Sequence, residues 1–170
     1  MKRQTAFWIL LSLAALSMNQ FCVRPPDYPK EPVIKFEGLS KSVLQQGKSE
    51  GDSVTIYLSY TDGDGDLGYP GNDATASVFV RDDRDSFSKF EYQLPYVDPQ
   101  GAGNGISGEI SIVIPTSCCI YVTPEGLKLA CDNVPQSFLF DTLNYFIKIK
   151  DRAGHESNEI KAGPISLKCH

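Results

Sequence analysis

The stretch "DSVTIYLSYTDGDGDLGYP", residues 52–70, joins two patterns with different chemistry. Its first half places Val54, Ile56 and Leu58 on one face of an extended chain, the period-2 signature of a half-buried β-strand. Its second half sets Asp62, Asp64 and Asp66 around Gly63 and Gly65. Gly tolerates positive φ at little steric cost, so alternating Asp and Gly let a loop curl with every second carboxylate turned inward. The alternative is a solvated acidic turn, because Asp and Gly are common turn formers.

The same period-2 pattern recurs outward from this stretch. It appears in "PVIKFEG" (32–38), "ATASVFVRD" (74–82), "FSKFEYQL" (87–94) and "GEISIVIP" (108–115). "LNYFIKIKD" (143–151) sets Tyr145, Ile147 and Ile149 against Phe146, Lys148 and Lys150. "EIKAGPISL" (159–167) is interrupted by Gly163-Pro164, as an edge strand tolerates. Seven short alternating strands, spaced by turns rich in Gly, Pro, Asp and Asn, predict an all-β antiparallel sandwich of immunoglobulin-like order. In that order the loops after the second, fourth and sixth strands share one end. Asp62, Asp64 and Asp66 are therefore expected beside Asp151, with Asp98 on the same end. "RDDRDS" (81–86) reads as a solvated turn at the opposite end.

Calcium takes six to eight oxygen ligands. Counted from Asp62, the spacing of a calcium loop falls on Asp62, Asp64, Asp66, the carbonyl of Gly68, and Asp73 at the twelfth position. Leu67 stands where such loops carry Gly, the last ligand is Asp instead of Glu, and no helices flank the loop. The reading is therefore a calcium loop of a β-protein, with Asp151 as a further ligand, and not an EF-hand. Magnesium suits the pattern less, since it prefers fewer protein ligands in strict octahedral geometry.

Five cysteines bear on the compartment: Cys22, Cys118, Cys119, Cys131 and Cys169. "CIYVTPEGLKLAC" reads as a hairpin centred on Glu125, which makes Cys119 and Cys131 equidistant from its tip and predicts that they bridge. Cys118 is then left for Cys169. Residues 1–21 read as an export signal, with Lys2 and Arg3 before the apolar run Ala6–Leu16, which is too short to span a bilayer. Two processing points stay open, one near Ser17 and one before Cys22. Lipidation of Cys22 leaves an even number of thiols. Residues 22–32 hold four prolines and favour polyproline II, a tether of about 30 Å. The sandwich domain then covers 33–170.

The chain carries 16 Lys and Arg against 21 Asp and Glu, and two of those cations leave with the signal. Such acidity argues against nucleic acid and anionic surfaces as partners and suits cations. Catalytic constellations are sparse. The histidines are His155 and the terminal His170, and a triad of His155 with Ser157 inside one turn is geometrically poor. Cys118-Cys119 lacks the spacing of a zinc site. Tyr60, Tyr69 and Tyr96 fall near the acidic end, where aromatics serve packing or a carbohydrate or peptide ligand.

The order of signal, Cys22, "PPDYPKEPVIKF", "VTIYLSYTDGDGDLG" and "IKDRAGHESNEI" resembles the small immunoglobulin-like lipoproteins of Bacteroidetes-type bacteria. "TDGDGDLG" is the most specific part, and "DRAGHESN" is similar to the D-x-A-G-N turn of bacterial immunoglobulin-like and cadherin-like modules, with His155 in place of Asn. The resemblance implies an exported, lipid-anchored outer-membrane β-sandwich without catalytic residues. Its expected role is a binding or structural module of the cell envelope. The alternatives are an adhesin or glycan-binding accessory protein and, less favoured, a hydrolase.

Overall fold

A computed structural model describes residues 27–47, 51–85, 89–98 and 105–170. The signal, Cys22 and the first part of the tether lie outside the described residues. No helix among the described residues is long and apolar enough to cross a membrane.

The architecture is a β-sandwich. The strands are β1 (Val33–Leu39), β2 (Val43–Gln45), β3 (Ser53–Asp62), β4 (Val78–Asp82), β5 (Lys89–Tyr92), β6 (Ile106–Pro115), β7 (Ile120–Val122), β8 (Lys128–Ala130), β9 (Phe140–Ile149) and β10 (Ile160–Lys168). One sheet has the order β1-β3-β6 and the other β2-β10-β9-β4-β5, while β7 and β8 form a separate hairpin. The pairings are antiparallel except that of β2 with β10. Strand alternation dictates the core. Val54, Ile56 and Leu58 of β3 pack with Ile112 and Ile114 of β6 and with Leu143, Tyr145, Ile147 and Ile149 of β9. Each such side chain contributes about 1.5–3 kcal/mol by leaving water. Ile110 shares this face but is only half-buried, because β6 is a sheet edge.

Three expectations change. In constant-type immunoglobulin order the fourth strand joins the sheet of the first, second and fifth; here β5 pairs with β4. An antiparallel neighbour still returns the chain to the same end, so the loops after β3 and β9 still meet. The short β2 has no alternation to reveal it, since Leu44 alone is buried. The break at Gly163-Pro164 falls inside the sheet, but β2 pairs only with Ser166–Lys168, so β10 is locally an edge there. Gly163 sits at φ 141°, with Asn144 and the Leu143 carbonyl where a Cβ would stand.

The bridges are Cys118–Cys131 and Cys119–Cys169, not the predicted Cys119–Cys131 and Cys118–Cys169. The hairpin register is as expected: Ile120 opposes Ala130, and the Cys131 N–H donates to the Cys119 carbonyl at 3.1 Å. Cys131, however, leaves the ladder at φ 57° and opens a 3₁₀ turn, which carries its side chain to Cys118. Cys119 faces the core, fully buried, beside Cys169 at the end of β10. Two bridges place the chain in an oxidising, extracytoplasmic setting.

The same end is stiffened by an ionic strut that the sequence disguises as a turn. Arg84, whose side chain is 10% exposed, pairs with Asp82 at 2.6 Å and with Asp141 at 2.5 Å. It also donates to the Ser117 hydroxyl and the Cys118 carbonyl. Within "RDDRDS", Asp82 and Arg84 thus form a buried clamp, held to the 116–119 segment through Ser117 and Cys118, while Asp83 stays exposed as a solvated turn would have it.

Candidate metal centre

Strand β3 ends at Asp62, which is fully buried and pairs with Ile106 of β6. The chain then curls back: the Asp66 N–H donates to Asp62 Oδ2 at 2.9 Å. Gly65 supplies the positive φ of this curl, at 68°. Gly63 does not; its lack of a side chain serves a close approach of Tyr28 and Pro29 instead. At Gly68 both needs coincide, with φ 69° and the Leu94 and Pro95 carbonyl groups against the backbone.

Asp151 follows β9 and is also fully buried. Its carboxylate organises its own turn. Oδ1 accepts the His155 N–H, and Oδ2 lies 2.8 Å from His155 Nδ1. The two loops are tied together by the Ala153 N–H donating to Asp66 Oδ2 at 3.0 Å and the Arg152 N–H donating to the Asp66 carbonyl at 3.3 Å. Asp62, Asp64, Asp66 and Asp151 thereby each bring a carboxylate oxygen within 4.8 Å of the others. Asp64 Oδ2 is also 3.9 Å from His155 Nδ1.

The satisfied oxygens define the remaining ones. Asp62 and Asp66 each use Oδ2 to accept a backbone N–H. Oδ1 of Asp62, Asp64 and Asp66 is buried and has no hydrogen-bond partner among the described residues. Unpaired buried acceptors cost about 1–3 kcal/mol each, more when charged. Burial, reinforced by repulsion from Asp64, Asp66 and Asp151, pushes the Asp62 carboxyl up to about 6. Burial and the charges of Asp151 and Asp64 push Asp66 up as well. His155 is raised chiefly by its hydrogen bond to Asp151. The set is acidic oxygen throughout, the donor chemistry of a hard divalent cation.

Two residues of the predicted set lie elsewhere. The Gly68 carbonyl accepts from Arg152 Nη1 at 2.6 Å, so a guanidinium stands where a metal was expected. Asp73 is exposed and its carboxylate accepts from the N–H and hydroxyl of Thr75. The helix–loop–helix spacing that assigns both depends on a geometry the β-loop does not adopt. Asp98 shares this end but is exposed and outside the carboxylate group.

Sequence reading overlooked Arg152, the strut of the site. Its guanidinium also binds the Leu67 carbonyl at 2.8 Å and lies 4.7 Å above the Tyr96 ring. A cation next to a predicted acidic ligand was the available signal. Ser157, considered with His155, is buried and bonds Ile149 and Asn158 instead. Compared with known proteins, the chain matches no protein family, no curated protein and no solved structure.

Proposed function

We propose that the protein is an exported, lipid-anchored β-sandwich of the cell envelope, related to the small immunoglobulin-like lipoproteins of Bacteroidetes-type bacteria. Its loop end carries a structural calcium ion, and it serves as a binding or structural module. One observation carries the ion: the convergent, unpartnered Oδ1 atoms of Asp62, Asp64 and Asp66 beside buried Asp151. A cation in their midst supplies the partner each oxygen lacks. Calcium suits the set better than magnesium, because four protein carboxylates on two loops leave room for the irregular shell that calcium accepts.

The test is a calorimetric calcium titration. The wild type is expected to bind one ion. Asp62→Asn keeps the acceptor for the Asp66 N–H but removes a charge, and should weaken binding at least tenfold. A wild type that takes up no calcium defeats the proposal.

A second reading, a glycan-binding accessory protein, draws on the surface beside this site. A shallow cavity of about 350 Å³ lies between Tyr69 and Tyr96, with Asp73, Thr75 and Gln93 as polar groups. Tyr96 is 41% exposed. If glycans bind there, Tyr96→Ala should abolish retention on a glycan array; retention equal to wild type removes this reading.

A further inference from the structure

The residues ahead of β1 lie across the acidic loop. The Gly63 N–H donates to the Pro29 carbonyl at 2.8 Å. A Cβ on Gly63 would meet the Tyr28 carbonyl oxygen and stand 2.5 Å from the Pro29 oxygen and 2.7 Å from its carbon. On Gly105, which precedes β6, a Cβ would stand 2.8 Å from the Tyr28 ring and 3.0 Å from the Asp62 carbonyl. Tyr28 and Pro29 therefore sit on bare backbone at two points flanking Asp62. Pro32 is buried, and Ile34 is held by both its N–H and its carbonyl to the side chain of Asn158. The segment thus lies against the arm after β3, and Ile34, two residues beyond it in β1, is tied to the arm after β9.

We infer that the Asp27–Pro32 segment is a clamp coupled to the ion: a cation bound by Asp62, Asp64, Asp66 and Asp151 holds this segment against Gly63 and Gly105, and its release loosens the junction between the sandwich and the chain preceding it. This rests on the cation reading above and adds to it a regulated joint. The reading itself has a support beyond clustered acids, the fully buried Asp62 with its unpartnered Oδ1. The physical route is short. Asp62 and Asp64 bracket Gly63, so the peptide units that carry the ligands are those that carry the clamp contact. Without the ion, repulsion among the carboxylates favours splaying the loop, and the Gly63 platform moves with it. Coupling of this kind is reciprocal: what loosens the clamp must weaken the ion.

Two variants separate clamp from loop. Gly63 does not occupy the left-handed region, so Gly63→Ala suits the loop's own backbone and conflicts with Tyr28 and Pro29. Tyr28→Ala lies outside the loop and removes the ring over Gly105. Hydrogen exchange on peptides covering Asp27–Ile34 of the full chain is followed with about 5 mM calcium or with chelator, alongside the calorimetric titration. Calcium should slow exchange there roughly tenfold, and both variants should abolish the slowing and weaken calcium by a similar factor. If calcium binds the wild type while exchange at Asp27–Ile34 is unchanged, the clamp is wrong and the ion reading stands. If Gly63→Ala weakens calcium but Tyr28→Ala does not, the effect belongs to the loop alone and the clamp is likewise wrong. If the wild type shows no calcium heat, both fall together.

Discussion

Saturating calcium should raise the unfolding midpoint of the protein by roughly 10–15 °C at pH 7. An ion present at a thousand times its dissociation constant stabilises the folded state by about 4 kcal/mol, and for a domain of this size each kcal/mol is worth roughly 3–4 °C. Asp64→Ala should eliminate the shift. It should also raise the midpoint measured in chelator, because it removes one of four converging carboxylates. The sign of the pH dependence follows from Asp62. Its carboxyl is raised from 3.8 to about 6 in the folded protein. A raised acid leaves stability untouched below the unfolded value and reduces it as pH climbs through the folded value. In chelator the contribution of Asp62 to stability should therefore fall as pH rises between about 4 and 6. His155, also raised, acts in the same direction above its ordinary value of 6.5, as its proton and its ion pair with Asp151 are lost. Calcium replaces the proton, so its stabilising effect should be larger at pH 7 than at pH 5. A calcium effect that is absent, or the same at both pH values, contradicts this account of the site.

The second large effect concerns the bridges. Cys119–Cys169 closes a loop with a sequence separation of 50 and Cys118–Cys131 one of 13. In the chain-entropy view these contribute about 4 and 3 kcal/mol by restricting the unfolded chain. Cys119 and Cys169 are also part of the core, whereas Cys118 and Cys131 are partly exposed. The double variant Cys119→Ala/Cys169→Ala should therefore lower stability more than Cys118→Ala/Cys131→Ala, with cavity formation adding to the loss. Peptide mapping without reductant should recover both native pairs. Equal losses from the two double variants, or recovery of a Cys119–Cys131 peptide, would overturn the assignment. Graded reductant should open Cys118–Cys131 first, because a thiolate reaches it from solvent.

Period-2 alternation made the sandwich legible. Val54, Ile56 and Leu58 of β3, and Tyr145, Ile147 and Ile149 of β9, needed no tertiary information to be placed inward, because a pleated strand faces its core with every second residue. The acidic pocket was legible for a related reason: strands alternate direction, so the ends of β3 and β9 meet, and Asp151 comes beside Asp62 and Asp66. The ligand register failed where it borrowed a spacing from another architecture. The Gly68 carbonyl is taken by Arg152 and its backbone lies over Pro95, contacts with segments distant in sequence, while the Asp73 carboxylate is turned to its near neighbour Thr75. The disulfide pairing failed at a single dihedral. Hairpin symmetry placed Cys131 opposite Cys119 correctly, and the left-handed backbone at Cys131 sent its sulfur to the neighbour.

Sequence alone thus determined which residues face the core and which segments turn, since both follow from local alternation and backbone preference. Tertiary structure decided which oxygens are left without partners, which sulfurs meet, and that Tyr28 and Pro29 lie over Gly63. Those outcomes depend on the direction of individual atoms at contacts between remote segments, and one-dimensional spacing carries no information on that.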